Sequence, residues 1–184
     1  FAELSSPNDK WTDVTNSDPM ADVSEAQDAV EELTGDRPSI MIVSKKTMNI
    51  LKQNAKIRSA VLAQNTTANI FMTDARVKEL FSTELGISII VYTKKFKKEN
   101  GTVAHFYPDG FATLIPEGPL GNTWYGTTPE ERTLMGNASA DVSIVNTGVS
   151  VSVTVSNDPV QTKTTVSEIV LPSYERMDST YVIK

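Results

Sequence analysis

Apolar residues recur at spacings of three and four from Met20 through Val23, Ala26 and Val30 to Leu33, which puts one stripe on a helix. Asp18 stands at the capping position and Pro19 at the first helical one, where its missing N–H costs nothing. Thr34-Gly35 closes the element with a residue suited to a left-handed cap. Asp22, Glu25, Asp28, Glu31 and Glu32 cover the rest of its surface. Residues 1–17, by contrast, are polar and rich in turn formers, and read as an ordered arm or loop.

After the break at Asp36-Arg37-Pro38, residues 39–43 suit a buried strand. Ser44 caps a helix carrying Met48, Ile50 and Leu51 to about Asn54, and residues 57–64 form another short helix. A polar loop at 65–68 and a brief strand at 70–72 lead to a helix capped by Thr73-Asp74, with Val77, Leu80, Phe81 and Leu85, ended by Gly86. The period then switches to two. Residues 87–92 read as a buried strand, and Asn100-Gly101 is a strong hairpin signal. A two-residue turn there places Phe96 opposite His105 and Lys94 opposite Tyr107. Pro108-Asp109-Gly110 turns the chain into a strand at 111–115, and 116–126 is a long loop with two prolines and three glycines. A short helix starts at Thr128-Pro129 and stops by Gly136. The remainder is strand-like, with Val149, Val151, Val153 and Val155 alternating with hydroxyl side chains, and further strands at 163–171 and 180–183. The order of elements implies an α+β fold.

Composition narrows the chemistry. The chain of 184 residues carries a net charge of −6, against a protein whose main task is gripping duplex DNA. It contains no cysteine, which excludes disulfide scaffolds, thiolate metal sites and cysteine nucleophiles, and fits a reducing compartment. Its one histidine, His105, leaves no multi-histidine metal site within a chain. The apolar runs are far short of the roughly 20 residues of a membrane span. The chain begins at Phe1 rather than Met, so it reads as a fragment or a processed product.

Each chemical candidate has a plainer reading beside it. His105 could act as a base with an acid such as Asp109 in a small hydrolase, but its place opposite Phe96 favours a packed cross-strand pair. Lys94, Lys95, Lys97 and Lys98 form the basic cluster, interleaved with Tyr92, Phe96, Phe106 and Tyr107. Lysines guarding a hairpin edge is the preferred reading, ahead of nucleic acid or an interchain contact with an acidic surface such as the Asp22–Glu32 helix face. Trp124-Tyr125 is either an aromatic plug into the core or a partner contact. Gly118, Gly121 and Gly126 do not form a phosphate-binding loop, since no Lys-Ser/Thr pair follows. The carboxylates of the first helix read as a solvated face, without the loop spacing of a calcium site. No constellation of residues supports catalysis and no cofactor is implied.

Three stretches in fixed order add a resemblance. They are Gly35-Asp36-Arg37-Pro38 after the first helix, then Leu85-Gly86-Ile87 through Pro108-Asp109-Gly110 to Gly121-Asn122-Thr123-Trp124-Tyr125-Gly126-Thr127-Thr128-Pro129-Glu130, and finally Asp158-Pro159-Val160 through Leu171-Pro172-Ser173 to Asp178-Ser179-Thr180-Tyr181-Val182. Together they resemble the C-terminal part of a tailed-phage or prophage major capsid protein of the lambda gpE-like class. The resemblance implies an HK97-type capsid fold, in which residues 1–35 hold an arm or loop remnant and the end of the spine helix of a peripheral domain. Residues 36–146 would form the axial domain, and 147–184 the return to the peripheral one. The family's N-terminal arm and extended loop are not both supplied here. The implied function is a non-enzymatic shell subunit that self-assembles into pentamers and hexamers around packaged DNA, touching that DNA non-specifically. Implied partners are scaffold and head-decoration proteins, with no membrane, in the virion and in host cytoplasm during assembly. Trp124, Tyr125 and the four lysines are the candidate interface residues. The rival reading is a secreted or surface β-rich adhesion module, prompted by the Ser/Thr/Val-rich stretch at 142–165.

Overall fold

The structure is a computed structural model that describes residues 10–63, 71–130, 132, 142–146, 148–157 and 159–184. The described chain divides into two compact units, Phe1–Gly118 with Met177–Lys184, and Pro119–Arg176.

The first unit is built on a four-stranded sheet of order β11-β5-β1-β2, formed by β1 (Ile40–Ser44), β2 (Ser88–Tyr92), β5 (Ala112–Ile115) and β11 (Tyr181–Ile183). β1 and β2 run parallel with Ile40 opposite Ser88 and Ser44 opposite Tyr92, whereas β5 is antiparallel to both β1 and β11. A parallel pair needs a crossover, supplied by α2 (Lys45–Gln53), α3 (Ala55–Ala63) and α4 (Asp74–Leu85). Met41, Val43, Ile89 and Leu114 from the sheet pack with Met48, Leu51, Val77 and Phe81 from α2 and α4 in one buried core.

The caps expected from the sequence form. Asp18 accepts from the Ala21 N–H at 3.2 Å, Ser44 from Thr47 at 3.2 Å and Thr73 from Arg76 at 3.4 Å. α1 (Pro19–Thr34) buries Val23, Ala26, Gln27 and Val30, but Leu33 is 72% exposed, against the expected stripe. At about 100° per residue, Thr34 rather than Leu33 continues the face of Val23 and Val30. Gln27 Nε2 donates to the carbonyls of Pro38 (2.7 Å) and Leu85 (3.2 Å), so the helix is tied to the chain just before β1 and β2 begin. Trp11, in the segment read as an arm, is buried in this core and donates its indole N–H to Asp22 at 2.7 Å.

Between β2 and β5 stands a hairpin of β3 (Lys95–Lys97) and β4 (Val103–His105). Its register differs by one residue from the expected one: Phe96 faces Ala104, and His105 faces Lys95. A two-residue turn at Asn100-Gly101 needs positive φ at both, and among described residues no residue other than glycine has it. The chain instead makes a turn closed by Gly101 N–H donating to Lys98 O (2.9 Å), with Gly101 at φ 83° before Thr102. Tyr107 anchors the hairpin base, donating its hydroxyl to Ile42 O at 3.0 Å and lying 2.8 Å from the Thr113 hydroxyl.

The second unit holds β6 (Thr123–Tyr125) paired with β10 (Val170–Pro172), and a three-stranded sheet of β7 (Val142–Asn146), β8 (Val149–Asn157) and β9 (Val160–Glu168). β6 lies inside the stretch read as a loop, and the single strand expected at 163–171 is broken at Ile169 into β9 and β10. Ile169 takes its hydrogen bonds elsewhere, donating to Gly148 O and accepting from the Gly126 N–H. Among described residues, 71–72 are irregular rather than a strand, with Phe71 exposed. Residues 129, 130 and 132 are helical, while the expected loop at 65–68 and the stop at Gly136 fall outside the described residues.

Candidate functional site

The chemistry-bearing side chains lie on open surfaces. Lys94, Lys95, Lys97 and Lys98 are all exposed on the β3–β4 hairpin, and none forms an ion pair with a described carboxylate. Strand alternation sends Lys95, Lys97, Val103 and His105 to one face of the hairpin and Lys94, Phe96, Ala104 and Phe106 to the other. Phe96 and Phe106 meet with ring centroids 4.8 Å apart and stay 38% and 60% exposed. The hairpin thus carries both apolar area and unneutralised positive charge.

His105 is exposed, so it does not form the packed pair with Phe96 that the sequence implied. It lines an open cleft of about 400 Å³ with Lys45, Lys46, Asn49, Thr93, Lys95 and Asp109. No hydrogen bond joins His105 to Asp109. Among the described residues no group of three or more acidic or histidine side chains is placed to hold a metal ion.

Some of the other charges in the first unit are paired. The Asp74 carboxylate takes ion pairs from Lys45 and from Lys52 (2.8 Å), and these hold it below the usual carboxylate range. Burial alone would raise Asp18, but Lys56 at 2.9 Å and the Ala21 N–H outweigh it and leave it lowered. Arg37 bridges Asp28 at 2.8 Å and Glu31 at 2.5 Å, and both carboxylates raise its pKa. Glu25 and Glu32 remain exposed on α1, outside these pairs, with Glu32 beside the exposed Leu33 and Glu25 about two turns before it.

Trp124 and Tyr125 sit on β6, with Trp124 opposite Leu171 and Tyr125 opposite Val170. Trp124 is 60% and Tyr125 53% exposed, so neither is a plug into the core, and Leu171 extends the apolar surface. The strand pairing that displays them joins residues nearly fifty positions apart, and the local pattern carries no trace of it. In the three-stranded sheet, Val151 faces Val166 across β8 and β9, and Val153, Val155, Val160 and Val166 are all exposed.

Exposed apolar and charged surfaces of this kind are candidates for contact with a partner. Comparison with known proteins gives them a context. The sequence matches the family described as phage major capsid protein E over residues 5–183. The chain belongs to that family. Among solved structures, this capsid-family chain resembles a putative capsid protein of a prophage from Escherichia coli CFT073, at 18% identity and a TM-score of 0.62. It also resembles a phage-related protein from Bordetella bronchiseptica RB50, at 17% identity and a TM-score of 0.60. All of this chain is covered in both cases, but only 52% and 54% of the two solved chains, so it spans about half their length. The α+β fold is therefore that of phage capsid-related proteins. No curated protein matches the chain.

Proposed function

We propose that this chain is part of the shell subunit of a phage or prophage head, one that assembles into pentamers and hexamers around packaged DNA. The observation that carries the reading is the family match across 5–183, nearly the whole chain. The surfaces support it: a shell subunit needs several separate contact patches and no enclosed reaction site, and one repeated chain suffices to close an assembly. Weak contacts repeated many times give avidity without a single strong interface. The net charge of −6 suits a container that touches DNA only non-specifically.

In this reading the subunit is of the lambda gpE-like class with an HK97-type fold and no enzymatic role. Residues 1–35 contribute to the peripheral domain, 36–146 form the axial domain and 147–184 return to the peripheral one. Scaffold and head-decoration proteins are further partners, in the host cytoplasm during assembly and then in the virion. The test is negative-stain electron microscopy of the complete gene product beside this 184-residue chain. Shells, tubes or rings from the longer product support the reading. Dispersed monomers from both, with or without scaffold, overturn it.

A further inference from the structure

We propose that the β3–β4 hairpin of one copy docks on the exposed face of α1 between Glu25 and Leu33 of a second copy, a contact that rests on the shell-subunit reading. The two surfaces match in charge and in apolar content. On the face of the exposed Phe96–Phe106 pair the hairpin presents Lys94 and Lys98, neither with an ion-pair partner among the described residues, while Lys95 and Lys97 stand on its other face. The helix presents Glu25 and Glu32 outside its Arg37 bridges, with Leu33 72% exposed beside Glu32. Its sequence holds five acidic residues and no basic one between Pro19 and Thr34. An apolar centre ringed by opposite charges on the two sides is the arrangement of a specific contact.

Geometry favours a second copy. Gln27 ties α1 to Pro38 and Leu85, at the end of the sheet where β1 and β2 begin. The hairpin leaves the sheet after Tyr92, which pairs with Ser44 at the far end of β1. Five residues of strand, roughly 15 Å, separate those two ends. The last turn of α1 leads through residues 35–39 into β1 at that same end, so the two patches of one copy belong to opposite ends of the sheet. Two different patches at opposite ends make a head-to-tail contact, and a head-to-tail contact closes into rings or runs on as an open chain.

These 184 residues contain no cysteine, so, with any cysteine elsewhere in the complete gene product first replaced by serine, an introduced pair gives a direct test. Glu99→Cys at the hairpin tip and Ala29→Cys on the exposed side of α1 leave all four lysines, Glu25 and Glu32 in place. Mild oxidation of the complete gene product carrying both substitutions is expected to give a ladder of covalent oligomers, with each single variant stopping at dimer. Charge reversal supplies the second arm. Lys94→Glu with Lys98→Glu, and separately Glu25→Lys with Glu32→Lys, are each expected to weaken self-association by roughly tenfold or more, while an equal mixture of the two variants restores it. Salt raised from about 0.05 M to about 0.5 M should weaken the native contact in the same direction. Unchanged assembly by both reversed variants, or no ladder, overturns the contact and leaves the shell reading standing. Failure of the native product to assemble sinks both. Unchanged assembly with lost binding to a short DNA duplex assigns the hairpin to nucleic acid instead.

Discussion

The rings of Phe96 and Phe106 lie with centroids 4.8 Å apart on the face of the hairpin opposite Lys95 and His105. Both remain substantially exposed, so the pair contributes little to the core of its own subunit. Phe96→Ala should cost about 1 kcal/mol of folding stability, the scale of an aromatic pair, rather than the roughly 3–5 kcal/mol of a buried phenylalanine. Thermal unfolding of the variant checks this. A larger loss would mean that the hairpin belongs to the core.

Asn54 holds three segments together. It is fully buried at the end of α2, its Oδ1 accepts from the N–H groups of Lys56 (3.0 Å) and Ile57 (3.1 Å), and its Nδ2 donates to the Ser17 carbonyl (3.2 Å) and hydroxyl (3.0 Å). Asn54→Ala leaves several buried groups unpaired and should destabilise by about 2–3 kcal/mol, a fall of roughly 5–10 °C in melting temperature for a chain of this size. Calorimetry gives the number, and a fall within about 1 °C would contradict the account.

Acid should weaken the first unit through Asp74. Lys45 and Lys52 hold its carboxyl below the range it has in the unfolded chain, near 3.9. The stabilisation is therefore complete above that unfolded value and is lost as the pH falls through the lower folded one. Asp74→Asn is expected to melt below the native protein at neutral pH and to lose less between about pH 5 and pH 2. Parallel acid titrations with the same slope would remove Asp74 from the explanation.

Gly121 is fixed by a close approach within the second unit. A Cβ built on it would overlap the Ser173 carbonyl oxygen, with backbone rather than a movable side chain in the way. Gly121→Ala must push apart the segment in which Ser173 N–H donates to Asn122 O at 2.7 Å and Glu175 N–H to Leu120 O at 3.0 Å. The variant is expected to lose at least about 3 kcal/mol and to raise amide exchange across β6 and β10. Exchange at the native rate there would contradict the packing described.

How much of this was legible in the sequence follows from how local each signal is. Asp18, Pro19 and Gly35 act within a turn of α1, and its bounds are readable from them. The valine alternation of β8 is likewise carried along one strand. The partner of Phe96 is not readable locally, because Asn-Gly fits two turns whose registers differ by one residue and only the whole hairpin chooses between them. β6 leaves no local signal, because three residues between glycines become a strand only when β10 arrives. Trp11 gave one signal, a large aromatic among turn formers, but its burial depends on α1 and the sheet. The four lysines were visible as a cluster, whereas their lack of partners and the exposed Leu33 on the remote helix required the fold.

Mass spectrometry of DNA-filled particles purified from the phage or induced prophage that encodes this chain tests the central claim most directly. Peptides spanning α1 and the β3–β4 hairpin should come from the most abundant protein of the particle, present in many copies per head. Their absence from purified heads, or recovery only at trace level, would contradict the account.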